Sequence, residues 1–440
     1  MYGRAWRQHG DAGAVSNAAA DDGRLDLGDP ATYDAGPPWQ VWDELRTSGP
    51  VVATRSTMLG ASFWSVLNWP EVRQVLGNDT NFSSRYGSFL GFGPDNPDPA
   101  GQRMLVATDG ERRRALRASM QSYFSSAWHE PYLPALLDDF RSSVADRLGE
   151  RIDFAQEIAW RVPVLVACRI FGLPPSEAPT LSRLANGVLL AEPGVPRAVA
   201  THQATVVRAE IIEYFEALVR ERTARPGDDV VSALLGAGAD GSVRREDVVL
   251  NLLSLLVAAN ETTRLALSGA VVAFGQHADQ WRRIRADSSL IPSAVEEILR
   301  WTSPALGVSR TALSECVLGG AVIEPGDVVA AWLPSANRDA RQFPDPYRFD
   351  VGRTGNRHVA FGHGPHHCIG AALARLEITA LLSAFRPQVA EVVIDGPLRY
   401  THSNILNGFA HTPVRLMPAH EPGRHRARQA THAGTVATDR

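Results

Sequence analysis

The residue most able to do chemistry in this chain is a single cysteine. The stretch His358–Glu377 reads HVAFGHGPHHCIGAALARLE. It joins a glycine-rich turn, Phe361-Gly362-His363-Gly364-Pro365, to Cys368 and then to an Ala/Leu/Glu-rich segment of helical pattern from Ala371. A cysteine at a helix entrance meets free backbone N–H groups and the positive end of the helix dipole, and both favour thiolate. The glycines permit a turn in which neighbouring amides point at the sulfur without Cβ clashes. An anionic sulfur held in this way suits a metal ligand. Three readings compete: a buried structural cysteine, a zinc site drawn from His358, His363, His366, His367 and Cys368, and a thiolate ligand to haem iron. The histidine spacing does not follow the paired Cys/His pattern of structural zinc.

Three further clusters stand out. Arg245–Phe274 is a long, almost wholly apolar helical stretch, interrupted by Asn260-Glu261-Thr262-Thr263. Burying a carboxylate is costly unless it is paired or hydrated. This cluster is either a polar kink, satisfied by threonine bonding the carbonyl four residues back, or a proton relay beside a metal-bound ligand. Glu297 and Arg300 sit at i, i+3 on one helix face. A basic helix, ERRRALRASMQSYF, follows Asp109-Gly110 and places Arg113 and Arg117 at i, i+4. Alone, it reads as a solvated basic face.

Together these pieces carry a family resemblance. Phe361, Gly362, Gly364, His366, Cys368 and Gly370 resemble the cysteine-ligand loop of the cytochrome P450 family, Phe-Gly-x-Gly-x-Arg/His-x-Cys-x-Gly. Ala258, Glu261 and Thr262 match its Ala/Gly-Gly-x-Asp/Glu-Thr segment, with Ala259 where glycine is usual. Glu297 and Arg300 match its Glu-x-x-Arg, and Arg117 its basic-helix arginine, with Arg113 where histidine is usual. The resemblance covers roughly residues 29–418, and the four pieces follow the family's order.

What the resemblance implies is specific. The fold is mainly α with a minor antiparallel β region, a single domain around a buried haem b. Cys368 is the axial metal ligand. His366, Arg117, Arg310 and Arg113 hold the propionates, and Phe361, Gly362, Gly370 and Ala258 complete the cofactor contacts. Glu297 and Arg300 form a structural ion pair behind the haem. Thr262 and Glu261 deliver protons during O2 activation. Leu90, Phe92, Val257, Leu306, Val308, Ile405 and Leu406 line the substrate pocket. The expected activity is monooxygenation, or oxidative coupling, of an apolar or aromatic small molecule, free or carrier-bound, as a tailoring step in bacterial secondary metabolism. Electrons come from a separate ferredoxin and ferredoxin reductase, docking near Arg112, Arg375 and the cysteine loop. The alternatives are a peroxide-using haem-thiolate enzyme, a haem-binding sensor and a zinc-binding protein.

Composition agrees with this class. The chain has 440 residues, 44% hydrophobic and 21% charged, as in soluble globular proteins. A net charge of −4 gives no argument for nucleic acid or an anionic membrane. The longest apolar runs are broken by Asn251, Ser254 and Asn260, and the N-terminus lacks a signal-peptide core. The cysteines Cys168, Cys316 and Cys368 make no disulfide framework, and a cytoplasmic location is expected. All 44 basic residues are arginine, which excludes Schiff-base and P-loop lysine chemistry.

The elements that must position these groups are also legible. Residues 1–28 and 419–440 read as disordered arms. Helices are expected at Trp39–Leu45, from Trp69, after Gly110, near Leu133–Leu148, at Ile152–Phe171 and at Val199–Arg222. Strands are expected at Val51–Thr54, Phe63–Leu67, Ala305–Arg310, Val317–Leu318, Val322–Ile323 and Val328–Leu333, the later ones forming a small antiparallel sheet. Ser83–Gln102 is a long Gly/Pro loop with apolar side chains, and such loops are often lids.

Overall fold

A computed structural model describes residues 25–189, 195, 197–238 and 243–419. Pro193, Gly194 and Pro196, in a region expected to break the helices, and nearly all of the two expected arms lie outside the described residues. Where the described chain begins it is already docked. Leu27 is buried, and Asp26 accepts hydrogen bonds from the Met58 amide and the Ser56 hydroxyl. The ordered body therefore starts before residue 28.

The fold is organised by the helix Arg245–Gln276, 32 residues long. It is apolar on most faces, and a helix of that kind is stable only inside a core. It packs against the helices Arg161–Ile170, Ala178–Leu189, Arg197–Ala224 and Ile291–Thr302. By length and composition it could cross a membrane, but 67% of its most apolar window is buried within the protein, as in a core helix. The helices Leu133–Ala145 and Ala371–Gln388 pack on each other and close the same core. Phe140, Phe154, Leu267, Trp281 and Phe385 lie inside it.

The expected helix over 152–171 is two pieces with a strand before them. Arg151–Asp153 pairs with Pro413–Pro418, Phe154–Glu157 makes one turn, and Arg161–Ile170 follows. The break at Ile158–Trp160 lets Arg161 reach Asp139 at 3.0 Å.

The strands form four separate sheets among the described residues. β1 (Val51–Ser56) and β2 (Ala61–Val66) form a hairpin. β3 (Phe82–Ser83), β4 (Arg151–Asp153), β5 (Gly307–Ala312), β6 (Cys316–Leu318), β7 (Ala321–Ile323) and β8 (Val328–Trp332) follow in the chain. The five-stranded sheet has order β1-β2-β8-β5-β3. β8 runs antiparallel to β5, as expected of the later strands, and parallel to β2. β6 and β7 form a separate hairpin. A parallel pairing needs a distant crossover, and here 261 intervening residues supply it (66 to 328). This sheet brings Arg310, on β5, beneath the start of the basic helix.

Candidate active site

The cysteine loop is set by its main chain. Gly362 and Gly364 have φ of 69° and 70°, which side chains with a Cβ rarely adopt. At Gly364 a Cβ would also lie 2.6 Å from the Gly77 Cα and 2.7 Å from the Leu76 carbonyl oxygen. The loop therefore rests backbone to backbone on the helix Trp69–Gly77. The Cys368 amide donates to the Phe361 carbonyl at 3.0 Å, which closes the turn. Cys368 itself is accessible to a small probe, whereas Cys168 is buried. Its thiol nevertheless sits deep in protein. Burial pushes its pKa up, while the Gly370 amide, Arg117 and Arg375 pull it back only in part.

Around this loop stand two buried arginines. Arg113 and Arg310 are 4% and 3% exposed. The Arg113 Nε has no hydrogen-bond partner among the described residues, and Arg310 donates through Nη1 to the Ser309 carbonyl at 2.8 Å. Burial, with Arg113 nearby, brings the Arg310 pKa down to about 10. Two carboxylates, Asp79 and Asp109, act on this pair. Asp109 is already engaged: it accepts from His366 Nε2 at 3.0 Å and from the Ser83 hydroxyl at 2.5 Å. Burial raises Asp109, but these bonds together hold it below its usual range. His366 is lowered by burial, with Arg310 and Arg113 acting in the same direction and Asp109 against them. Buried polar groups are normally hydrogen-bonded, so the two guanidiniums are left short of acceptors. Arg117 is spent differently from its neighbours: its Nη1 donates to the His367 carbonyl at 2.7 Å, next to Cys368.

The histidines do not converge. His358 Nε2 meets Glu296 at 3.1 Å, His363 Nε2 meets Arg73 at 3.2 Å, and His366 meets Asp109. No group of three or more His, Cys, Asp or Glu suited to a metal ion occurs among the described residues.

On the central helix, Ala258 is exposed and Thr262 half-buried, although Leu255, Leu256, Asn260, Glu261 and Thr263 around them are buried. An accessible strip in the middle of a core helix marks a gap beside it. The Thr262 hydroxyl donates to the Ala258 carbonyl at 2.9 Å, as the helix-internal reading expects. Glu261 departs from the open relay. It is fully buried, its Oε2 accepts from Arg264 at 2.7 Å, and its Oε1 accepts from Asn260 at 3.0 Å. Arg264, three residues on, supplies compensation that the relay reading left to water. The i, i+3 spacing carried that signal.

Glu297 and Arg300 form the expected ion pair, with both side chains fully buried. Two bonds of 2.8 Å join them. Arg353, Asn356 and the Asp350 amide also donate to Glu297, and Arg300 reaches the carbonyls of Asn337, Pro346 and Arg348. Every charge in this hub has partners. Arg353 and Asn356 lie more than 50 residues from Glu297 in sequence, so no local pattern announced them.

Arg112 and Arg375, expected beside the docking surface, are partly exposed and paired: Arg112 binds Asp247 at 2.6 Å, and Arg375 binds Glu296 at 2.6 Å. Of the pocket residues, Leu306 and Leu90 pack in a core with Trp42, Phe63 and Trp332, and Val308 packs on the sheet core. Their apolar neighbours on adjacent strands claim them. Phe92 folds against Gly87. Val257, Ile405 and Leu406 belong to none of the three apolar cores; the Ile405 carbonyl accepts from the Leu306 amide and Leu406 bridges to Ala305.

A central helix with an accessible polar strip, a cysteine loop and a cation cluster define an oxidative haem enzyme scaffold, and comparison with known proteins agrees. The family model described as Cytochrome P450 matches residues 197–389. Cytochrome P450 NovI of Streptomyces niveus is 30% identical over 397 residues, covering 89% of this chain and 96% of that protein. The crystal structure of P450 OxyD, involved in the biosynthesis of vancomycin-type antibiotics, superposes with TM-score 0.82 at 34% identity, covering 90% of this chain and all of that one. P450BioI, solved in complex with hexadec-9Z-enoic acid ligated acyl carrier protein, superposes with TM-score 0.76 at 25% identity, covering 86% of this chain and 98% of that one. The chain belongs to the cytochrome P450 family, whose members are haem-dependent monooxygenases using O2. Its similar proteins include bacterial biosynthetic enzymes.

Proposed function

We propose that this enzyme binds haem b through Cys368 and oxygenates, or oxidatively couples, an apolar or aromatic small molecule as a tailoring step in bacterial secondary metabolism. The observation that carries the reading is the pair of buried guanidiniums beside the cysteine loop with donors unspent. Arg113 Nε has no partner among the described residues, the described bond of Arg310 is to the neighbouring Ser309 carbonyl, and Asp109 is engaged by His366 and Ser83; a cofactor bearing two propionates supplies acceptors for charge-assisted hydrogen bonds. Phe361, Gly362 and Gly370 shape the bed beneath it, and Arg117 fixes the carbonyl preceding the ligand. The bound haem supplies O2 activation and the oxidising power.

The chain's own residues then divide the remaining work. The Thr262 hydroxyl, on the accessible strip, is the group that presents a proton at the reaction site. Glu261 is the reserve behind it and delivers protons once its bond to Arg264 opens. Val257, Ile405 and Leu406 exclude water and orient an apolar substrate. Ferredoxin and ferredoxin reductase supply electrons, the enzyme works in the cytoplasm, and the substrate is either free or tethered to a carrier protein. The carrier option has support in the P450BioI complex.

The test has two stages. Dithionite-reduced protein exposed to carbon monoxide should show the red-shifted haem band of thiolate ligation, and Cys368→His should lose it. Ferredoxin-driven turnover should then exceed peroxide-driven turnover on the same substrate. A peroxide-only enzyme, or a protein without haem after reconstitution, refutes the reading.

A further inference from the structure

We propose that Asp247 is a positioning residue: it anchors the far end of the Ser83–Gln102 loop, together with the basic helix, on the central helix, and so sets how fast a ligand passes between solvent and the iron. The kinetic half of this rests on the haem reading above. Asp247 lies in the first turn of Arg245–Gln276, and its side chain is fully buried. Guanidiniums from three segments converge on it. Arg103 Nε donates to Oδ1 at 2.8 Å, Arg112 Nη2 to Oδ2 at 2.6 Å, and Arg244 Nε to Oδ2 at 3.0 Å. Burial raises the Asp247 pKa, but the bonds from Arg103 and Arg244 hold it below its usual range. An ionised carboxylate has about four acceptor sites, so one group ties three segments at once.

Asn251 extends the anchor by one helical turn. It is buried, its Oδ1 accepts from the Leu105 amide at 2.8 Å, and its Nδ2 donates to the Arg103 carbonyl at 3.0 Å. The chain at Arg103–Leu105 is therefore held by a side chain, a carbonyl and an amide.

The loop is closed at its neck. The Asp98 amide donates to the Tyr86 carbonyl at 2.8 Å, and a Cβ on Gly101 would lie 2.4 Å from the Arg85 carbonyl oxygen. Below the neck the two legs have separate anchors. Asp109 holds the first, accepting from the Ser84 amide at 2.9 Å and from the Ser83 hydroxyl. Asp247 and Asn251 hold the second. Between the neck and this second anchor stands Gln102, with φ of 60°. A residue with a Cβ keeps that conformation only where its surroundings impose it. Release of Arg103 removes the constraint on one side.

The same loop adjoins the cations beside the cysteine loop. The Ser84 hydroxyl lies 3.2 Å from His366 Nε2, and the Ser88 carbonyl accepts from the amide of Ser309, next to Arg310. Arg112, bound to Asp247, is in the first turn of the helix Gly110–Met120, and Arg113 follows it directly.

The experiment exploits the absence of lysine. Trypsin can cut only after arginine, residues 86–102 contain none, and Arg85 and Arg103 flank the neck. Haem-loaded wild type and Asp247→Asn are digested under native conditions, with cleavage at Arg85–Tyr86 and Arg103–Met104 followed by mass spectrometry. The variant should be cut after Arg103 at least tenfold faster, and after Arg85 within twofold of wild type. Stopped-flow mixing with phenylimidazole, read from the haem spectrum, should show association and dissociation both at least threefold faster with Kd unchanged. Freer passage speeds both directions and leaves the equilibrium alone. Asn251→Leu keeps the carboxylate but removes the two main-chain bonds. It should behave in the same way, and it decides the matter if Asp247→Asn does not accumulate. The proposal is overturned if cutting after Arg103 is unchanged in the folded variants, or if it rises equally at both sites, as general loosening would make it. It is also overturned if the two rates do not rise together. Absence of the carbon monoxide band in wild type would refute the haem reading and the kinetic half with it, while the digestion still decides the anchor.

Discussion

Replacing Arg310 by methionine should have opposite effects on the haem-free and haem-loaded proteins. Without haem, Arg310 is a guanidinium 3% exposed whose described hydrogen bond is to the neighbouring Ser309 carbonyl. Burial, the largest cause, brings its pKa down to about 10, which sets the scale of the cost. At ~1.4 kcal/mol per tenfold, the drop from the ordinary guanidinium range corresponds to roughly 3 kcal/mol of destabilisation at every pH well below 10. Methionine fills most of the same volume without charge, so haem-free Arg310→Met should be as stable as wild type or up to about 3 kcal/mol more stable. With haem, the same cation meets a propionate, and a hydrogen bond to a charged group contributes roughly 1.5–3 kcal/mol. Its loss should speed haem release by about 10- to 100-fold. The assays are urea unfolding of the haem-free protein and haem transfer to an excess of apomyoglobin. A variant that loses more than ~2 kcal/mol without haem, yet releases haem at the wild-type rate, would refute the assignment and make Arg310 a structural cation.

Other perturbations probe separate parts of the structure. Glu297→Gln leaves Arg300 and Arg353 facing an uncharged amide, and should cost about 3–5 kcal/mol in urea unfolding and lower haem content. Glu377 is buried, its Oε2 has no partner among the described residues, and burial pushes its pKa up to about 8. A carboxyl raised in this way stabilises the fold fully below its unfolded value near 4.5, and that stability is lost as pH rises toward 8. The urea midpoint should therefore fall between pH 5 and pH 8 in wild type, and Glu377→Gln should flatten the profile. Thr262→Ala should keep the haem and the carbon monoxide band but divert electrons to hydrogen peroxide; unchanged coupling of electron use to product would count against the hydroxyl's role. Arg264→Met should leave Glu261 buried without its cation, slowing coupled turnover several-fold and changing its solvent isotope effect, with substrate binding intact.

The cysteine loop and the Glu297–Arg300 pair were legible because each is local. Six residues in ten fix one turn, and i, i+3 spacing fixes one ion pair. The helix Arg245–Gln276 was legible because few arrangements can bury so apolar a segment. The rest depends on segments that meet only in the folded chain. Nothing near Glu297 announces Arg353 or Asn356, and nothing near Arg338 announces the Trp39 ring that stacks on it. The surroundings of the expected pocket residues depend on the same thing. A leucine in an irregular segment reads the same whether it faces a cavity or another apolar side chain, and Leu90 and Leu306 pack with the core around Trp332. Nothing near Arg112 or Arg375 in the chain announces Asp247 or Glu296, which pair with them only by contact in the fold.

The contact between Gly364 and Gly77 has a consequence for how accurately the sulfur is placed. Side-chain packing tolerates a methylene gained or lost by small rotations, and whatever rests on it drifts by a fraction of an ångström. Here the ligand loop is seated on another main chain, with no rotamer between them to relax. The position of Cys368 is therefore inherited from two peptide backbones. It should survive wide variation in the side chains nearby, whereas a single added methyl at Gly364 should displace the loop as a unit.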